Sequence, residues 1–263
     1  MNLTACRFAV YSLLVCGLVG AAPAHKINKR IVNGHRSYLG SVPYQASLQL
    51  WNGLTWVHVC GGTLIAGLKV LTAAHCVYSV TPARLRIGLG WLHLHNLNGF
   101  EQNIAVDKIV IHSGYVPRVA GFPNDLAVIT LATRARINMD VRIVPLLPPG
   151  SLHPADTKGC IISGWGQKFG ENNGILTETT ISAISNEECA LRLVNVSNAH
   201  VFDHHLCVYE HPKAACTGDS GGPLVCQGRL VGVSSYGVKT CTGSFPSVYE
   251  LVPHFYEWIV QHI

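Results

Sequence analysis

The chain has 263 residues, a formal net charge of +5 and only 13% charged residues. An apolar-rich, weakly charged chain can bury enough surface to offset its conformational entropy, so the composition excludes a disordered protein. Its Lys and Arg residues are scattered and form no basic run, which argues against nucleic acid as a partner.

The first 24 residues, "MNLTACRFAVYSLLVCGLVGAAPA", place Arg7 before an apolar stretch from Phe8 to Val19 and end on small residues at Ala22 and Ala24. A basic flank, a short greasy run and an A-x-A step read as a secretory signal peptide cut after Ala24. The run is shorter than the roughly 20 residues needed to span a bilayer, so no membrane anchor is expected. "HKINKR" (25–30) then leads to "IVNG" at Ile31.

From there, short runs rich in Val, Ile, Leu and Thr alternate with Gly, Pro and Asn turns: "YQASLQL", "GGTLIAG", "KVLTAAH", "ARLRIGL", "NIAVDKIVIH", "LAVITL", "GCIISGWG", "LVGVSSYG" and "SFPSVYELV". That spacing predicts an all-β barrel or sandwich. The Pro-rich segment 144–159 reads as a linker between two β modules. Only the end differs. Val252, Phe255, Tyr256, Ile259 and Val260 recur at helical spacing, with Pro253 near the start, which predicts a helix over 252–263.

Of ten cysteines, Cys6 and Cys16 fall in the signal peptide. The remaining eight, in an oxidising compartment, predict four bridges, but spacing alone does not choose the pairing. No C-x-x-C pair occurs, so metal binding is not expected. The histidines 93, 95, 204 and 205 are read as loop residues and not as metal ligands.

Three motifs carry chemistry. A hydroxyl is a poor nucleophile at neutral pH and needs a base in hydrogen-bond reach, which in turn needs an orienting group. "TAAHC" offers His75, "PNDLAVITL" offers Asp125 and "GDSGGP" offers Ser220. Gly218 lets the backbone turn its N–H toward the same point as that of Ser220, and two such donors form an oxyanion hole.

With "IVNG", "TAAHC", "NDLAVI", "SGWG", "GDSGGP" and "SSYG" together, the sequence over residues 31–263 resembles the chymotrypsin-like (S1) serine endopeptidases. The chain order His, Asp, Ser is that of this family. The resemblance implies two antiparallel six-stranded β-barrels, one over about 31–140 and the other over about 141–251, with the active site between them. It implies Ser220 as nucleophile, His75 as base, Asp125 as its orienting partner, and no cofactor. The implied bridges are Cys60–Cys76, Cys160–Cys226, Cys189–Cys207 and Cys216–Cys241.

The resemblance also implies a secreted zymogen cut after Arg30 by a trypsin-like activator, with the new Ile31 ammonium inserting beside Asp219. His58 matches a position that often helps hold the zymogen. Ser235, Tyr236 and Gly237 resemble the strand that aligns an extended substrate. Calcium-binding relatives use two acidic residues near 91–101. Here Glu101 fits one position and Trp91 takes the other, so no calcium site is expected. Asn195 in "NVS" is a glycosylation acceptor. The expected partners are polypeptide substrates, an activating protease and protein inhibitors, with the chain a monomer in a digestive role.

By the same resemblance, Ala214 is the floor of the primary specificity pocket, and Gly237 and Ser247 form its walls. A floor without charge disfavours Lys and Arg and favours large apolar or aromatic residues, with an elastase-like taste for small aliphatic residues as the alternative. The rival to an enzyme is a catalytically silent homologue acting as a binding protein, because fold does not fix function.

Overall fold

The computed structural model describes residues 31–97, 99–151, 158–166 and 174–263. The expected signal peptide (1–24) and propeptide (25–30, with Arg30) lie outside the described residues.

Strands β2 (Gln45–Trp51), β3 (Trp56–Ala66), β4 (Lys69–Thr72), β5 (Leu85–Leu89), β6 (Gln102–Ile111) and β7 (Ala127–Leu131) close into a barrel in the order β2-β3-β4-β7-β6-β5. The period-2 rule is visible in the first half of β6. Gln102, Ile104 and Val106 are buried, while Asn103, Ala105 and Asp107 face water. A four-residue helix, α1 (Ala74–Val77), follows β4 with no side-chain cap at its start. It is too short to be stable alone, and the Cys60–Cys76 bridge ties it to β3.

The second sheet comprises β1 (His35–Arg36), β8 (Cys160–Gly164), β9 (Thr177–Ile181), β10 (Ala183–Ile184), β11 (His205–Val208), β12 (Pro223–Cys226), β13 (Arg229–Tyr236) and β14 (Ser247–Leu251). Its order is β1-β9-β8-β12-β13-β14-β11-β10, and it curls into a half-barrel. The expected pair of six-stranded barrels is thus one closed barrel facing one curled, eight-stranded sheet. The entering segment belongs to the second sheet, because His35 pairs with Glu178 of β9. Ser37 and Ser41 donate to the Glu178 carboxylate at 2.9 and 2.7 Å and hold that crossing in place.

All four expected disulfides form, and among the described residues they use every cysteine. Helix α2 (Asn186–Leu193) is capped by Ser185, whose side chain accepts from the N–H of Glu188. The terminal helix is narrower than its apolar spacing suggested. Residues 252–255 form turns, and α3 covers Tyr256–Val260. Pro253 has no N–H to give, so the chain turns before it winds.

One apolar core fills the closed barrel and extends to Val252, Phe255 and Ile259. A second, which includes Ile31, Ile162, Leu224 and Tyr249, lies against the curled sheet. The two halves meet through backbone. The N–H of Gly61, on β3, donates to the carbonyl of Ser220 at 2.8 Å.

Replacing both Cys60 and Cys76 with Ser should lower unfolding stability by about 3 kcal/mol, the loop-closure term for a bridge of this span. Urea unfolding at neutral pH measures it. A loss below about 1 kcal/mol would mean that hydrogen bonds alone hold α1.

Candidate active site

His75 is presented by α1, directly after β4. Asp125 sits just before β7, so the β4–β7 pairing, which sets Thr72 against Ala127, brings the two ends together. Asp125 is fully buried, and its carboxylate is saturated with donors. Oδ1 accepts from the backbone N–H of His75 at 2.8 Å, and Oδ2 lies 2.6 Å from His75 Nδ1. Ser235 adds an Oγ–H to Oδ2 at 2.7 Å. A buried carboxylate is tolerable only when paired in this way.

The imidazole is therefore fixed in orientation and tautomer, with Nδ1–H toward Asp125 and the Nε2 lone pair outward. Burial opposes the imidazolium, but the charge and hydrogen bond of Asp125 outweigh it, so the pKa of His75 is raised above the usual 6.5.

Ser220 stands in a loop that needs its glycines. Gly221 has φ +76°, and a Cβ there would collide with Thr72 Oγ1 and the Gly61 carbonyl. Gly218 has φ +100°, the left-handed region that a side chain resists. Among the described residues, the N–H groups of Gly218 and Ser220 donate to no protein acceptor, which leaves both available to an oxyanion. His58 helps set the loop. Its Nε2 lies 3.1 Å from the Gly218 carbonyl oxygen and its Nδ1 2.9 Å from Ser47 Oγ, with Trp165 against its edge. Burial pushes its pKa down to about 4, against the pull of the Gly218 hydrogen bond, so the ring stays neutral. His58 therefore braces Gly218 here.

Asp219 points the other way, into the protein. Oδ1 accepts from the N–H of Gly166 at 2.7 Å and Oδ2 from that of Cys216 at 2.8 Å. A Cβ on Gly164 or Gly166 would strike this carboxylate, so both glycines of "SGWG" are needed. Ile31 is buried, and the N–H of Val32 donates to the Ala214 carbonyl at 3.1 Å.

His75, Gly218 and Ser220 line one cavity of about 370 Å³ between the two halves, together with Phe122, Tyr236 and Gly237. Among the described residues no hydrogen bond joins Ser220 to His75, a contact that often tightens only when substrate binds. Ser247 and Ala215 bound the cavity, but Ala214 does not. The N–H of Ala215 donates to Ser247 Oγ at 3.3 Å, and Ala214 lines an adjoining hollow of about 10 Å³ that shares Ala215, Val238, Cys241 and Ser247 with the cavity.

Ser235, Tyr236 and Gly237 all line the cavity, and the Ser235 side chain is also engaged on Asp125. Phe122, which nothing in the sequence singled out, sets its ring 5.9 Å from that of His75 and 6.0 Å from that of Tyr236. Glu101 accepts from the N–H of Gly99, and Trp91 is buried. Asn195 is exposed in the turn after α2. His93 accepts from the backbone of His95 and Asn96, as a loop residue does. His205, by contrast, is no loop residue. It opens β11, is buried, and with His204 faces Glu250.

The family model described as Trypsin matches residues 31–259. The chain is 36% identical to a chymotrypsin-like serine proteinase of Haliotis rufescens, over 95% of this chain and 98% of that protein. It is 34% identical to a fibrinolytic enzyme, isozyme C, of Lumbricus rubellus, over 87% and 98% of the two chains. It is 35% identical to serine protease 1 of Rattus norvegicus, over 96% and 98%.

An NMR titration of the His75 ring should give a midpoint above 6.5, the value it departs from. Asp125→Asn should bring that midpoint below 6.5, because burial is then the surviving influence. A wild-type midpoint at or below 6.5, or no fall in the variant, would contradict this electrostatic account.

Proposed function

Because the chain belongs to the trypsin family of serine endopeptidases, we propose that it hydrolyses polypeptides through Ser220, His75 and Asp125. The observation that carries this reading is the buried Asp125 carboxylate holding His75 at 2.6 Å in the cavity that also contains Ser220. Ser220 Oγ attacks the scissile carbonyl, and His75 Nε2 takes its proton. Asp125 stabilises the imidazolium so formed. The N–H groups of Gly218 and Ser220 receive the negative oxygen of the tetrahedral intermediate. His75 then gives its proton to the leaving amine, and water repeats the cycle on the acyl-enzyme. This favours an enzyme over a silent binding homologue, since a binder has no use for a saturated carboxylate behind a histidine.

The same reading has the chain secreted, freed of residues 1–24, and activated by a trypsin-like protease that cuts after Arg30. Four disulfides suit an oxidising compartment. The buried places of Ile31 and Asp219 support a switch in which the new ammonium enters beside the carboxylate. Before cleavage that ammonium does not exist. A fluorophosphonate probe should therefore label the chain after cleavage at Arg30 and label it poorly before. Arg30→Gln should block activation by trypsin, and Ser220→Ala should abolish labelling in a folded protein. Labelling of Ser220→Ala, or equal labelling of cut and uncut chain, would refute the assignment.

The pocket supports cleavage after uncharged, apolar residues. No carboxylate lines the cavity to pair with a Lys or Arg side chain, Lys239 adds a like charge, and an unpaired buried cation costs several kcal/mol. An apolar slot gains roughly 1.5–3 kcal/mol from a buried Phe, Leu or Met. The Ser247–Ala215 hydrogen bond across the slot favours a second reading, in which the pocket is shallow and takes small aliphatic residues. Cleavage after Phe, Leu, Ala and Arg in one peptide frame separates them. We expect Phe or Leu to lead and Arg to be poor. Ala above both Phe and Leu establishes the shallow pocket, and Arg in the lead overturns the assignment.

A further inference from the structure

Against the main chain of Asp125 lies a second buried carboxylate. Glu250 of β14 has no exposed surface. Its Oε1 accepts from the backbone N–H of Asp125 at 2.7 Å. Its Oε2 lies 2.9 Å from His204 Nδ1, and His205 Nε2 lies 3.6 Å from Oε1, too far for a hydrogen bond. Burial alone would put a proton on Glu250, but the two histidines outweigh it and hold its pKa below the usual carboxylate value.

Three such groups in reach of one another could chelate a cation. The tautomer of His205 argues otherwise. Its Nδ1 accepts from the backbone N–H of Phe202 at 3.1 Å, so the ring proton sits on Nε2. A metal would need that lone pair, and here the position is a donor facing Glu250. The cluster is a nest of donors around an anion.

We propose that Glu250 is a positioning residue for the Asp125–His75 pair: one carboxylate oxygen grips the main chain of Asp125, while His204 holds the other. The inference rests on the reading that Asp125 orients His75. Three donors set the Asp125 carboxylate, but nothing in them fixes the peptide that carries it. Glu250 supplies that constraint from the opposite sheet, through a residue whose strand pairs with β11 and β13. The other titratable groups around it are His112 after β6, His254 before α3 and Tyr236 of β13, each of which senses the Glu250 charge. Without Glu250, the Asp125 N–H is a buried donor with no acceptor. The carboxylate then shifts, and a shift of about 1 Å in such a group can cost about 10²-fold in rate.

The test compares the activated full chain with Glu250→Ala and Glu250→Gln. The readouts are kcat and KM on a peptide ester and the proton NMR resonance of His75 Nδ1–H. The resonance is also read in a Ser220→Ala background, where it is independent of turnover. Glu250→Ala should lower kcat by about 10- to 100-fold, leave KM nearly unchanged and move the resonance upfield. Glu250→Gln keeps an oxygen for the Asp125 N–H and should restore kcat to within about threefold and the resonance to its wild-type place. A wild-type kcat and resonance in Glu250→Ala, or a loss that Glu250→Gln does not rescue, overturns the proposal. If Glu250→Ala does not fold, His204→Phe decides, since its ring keeps the stack on Phe202. A lower kcat at unchanged KM supports the proposal, and a wild-type kcat overturns it. If the wild type cleaves nothing, the proposed function fails, yet the resonance still tests Glu250.

Discussion

A carboxylate cannot stay charged inside a protein unless its surroundings answer it, and the buried side chain of Asp125 forces the two halves of this molecule together. Donors reach it from α1 of the closed barrel and from β13 of the curled sheet. Its own N–H is held by β14. No element supplies this set alone, and each donor left unmade would cost a full desolvation penalty. The cleft between the halves therefore has a fixed width at its centre.

The nucleophile loop is bound by a comparable constraint. Its carbonyl at Ser220 is held by Gly61 of the other half, and its neighbour Asp219 is buried among backbone N–H groups. Ser220 thus faces the cleft while Asp219, one residue away, faces the interior. This division explains the glycines. They admit the carboxylate on one side, at Gly164 and Gly166, and the close approach of Thr72 and Gly61 on the other, at Gly221. His58, buried and neutral, bonds to the carbonyl of Gly218 and so ties the peptide between Gly218 and Asp219 to the closed barrel.

Charge is arranged in depth. His75 faces the cavity, Asp125 lies behind it, and Glu250 lies against the main chain of Asp125 with two histidines of its own. Two carboxylates so close would repel if bare. Backbone and side-chain donors around each reduce that cost, which is why the second acid can sit beside the first without losing its charge. The cavity differs. Ala215, Gly237 and Ser247 line it with no carboxylate among them, and Lys239 is the lysine on its wall.

The sequence by itself determined the fold class, the eight bridged cysteines as a set, and the three motifs that carry His75, Asp125 and Ser220. These are local signals: alternating apolar runs, turn glycines, and residue types whose chemistry is legible in a few letters. Tertiary structure alone decided what reaches across the chain. Glu250 in "SVYELV" looks like an ordinary strand residue, and only the pairing of β14 with β11 and β13 carries it to Asp125, 125 positions away in sequence. His205 read as a loop residue until β11 placed it beside that carboxylate, and His204, in the turn before β11, reaches the same group. Ser247 read as a pocket wall, and only the folded chain brings its hydroxyl to the N–H of Ala215, 32 positions away. Phe122 had no signal, because a loop aromatic reveals its neighbours only once the loop is placed. Hydrogen bonds of this kind depend on distances in space of about 3 Å. Composition and period fix which elements form, but they do not fix where two distant side chains come to rest against each other.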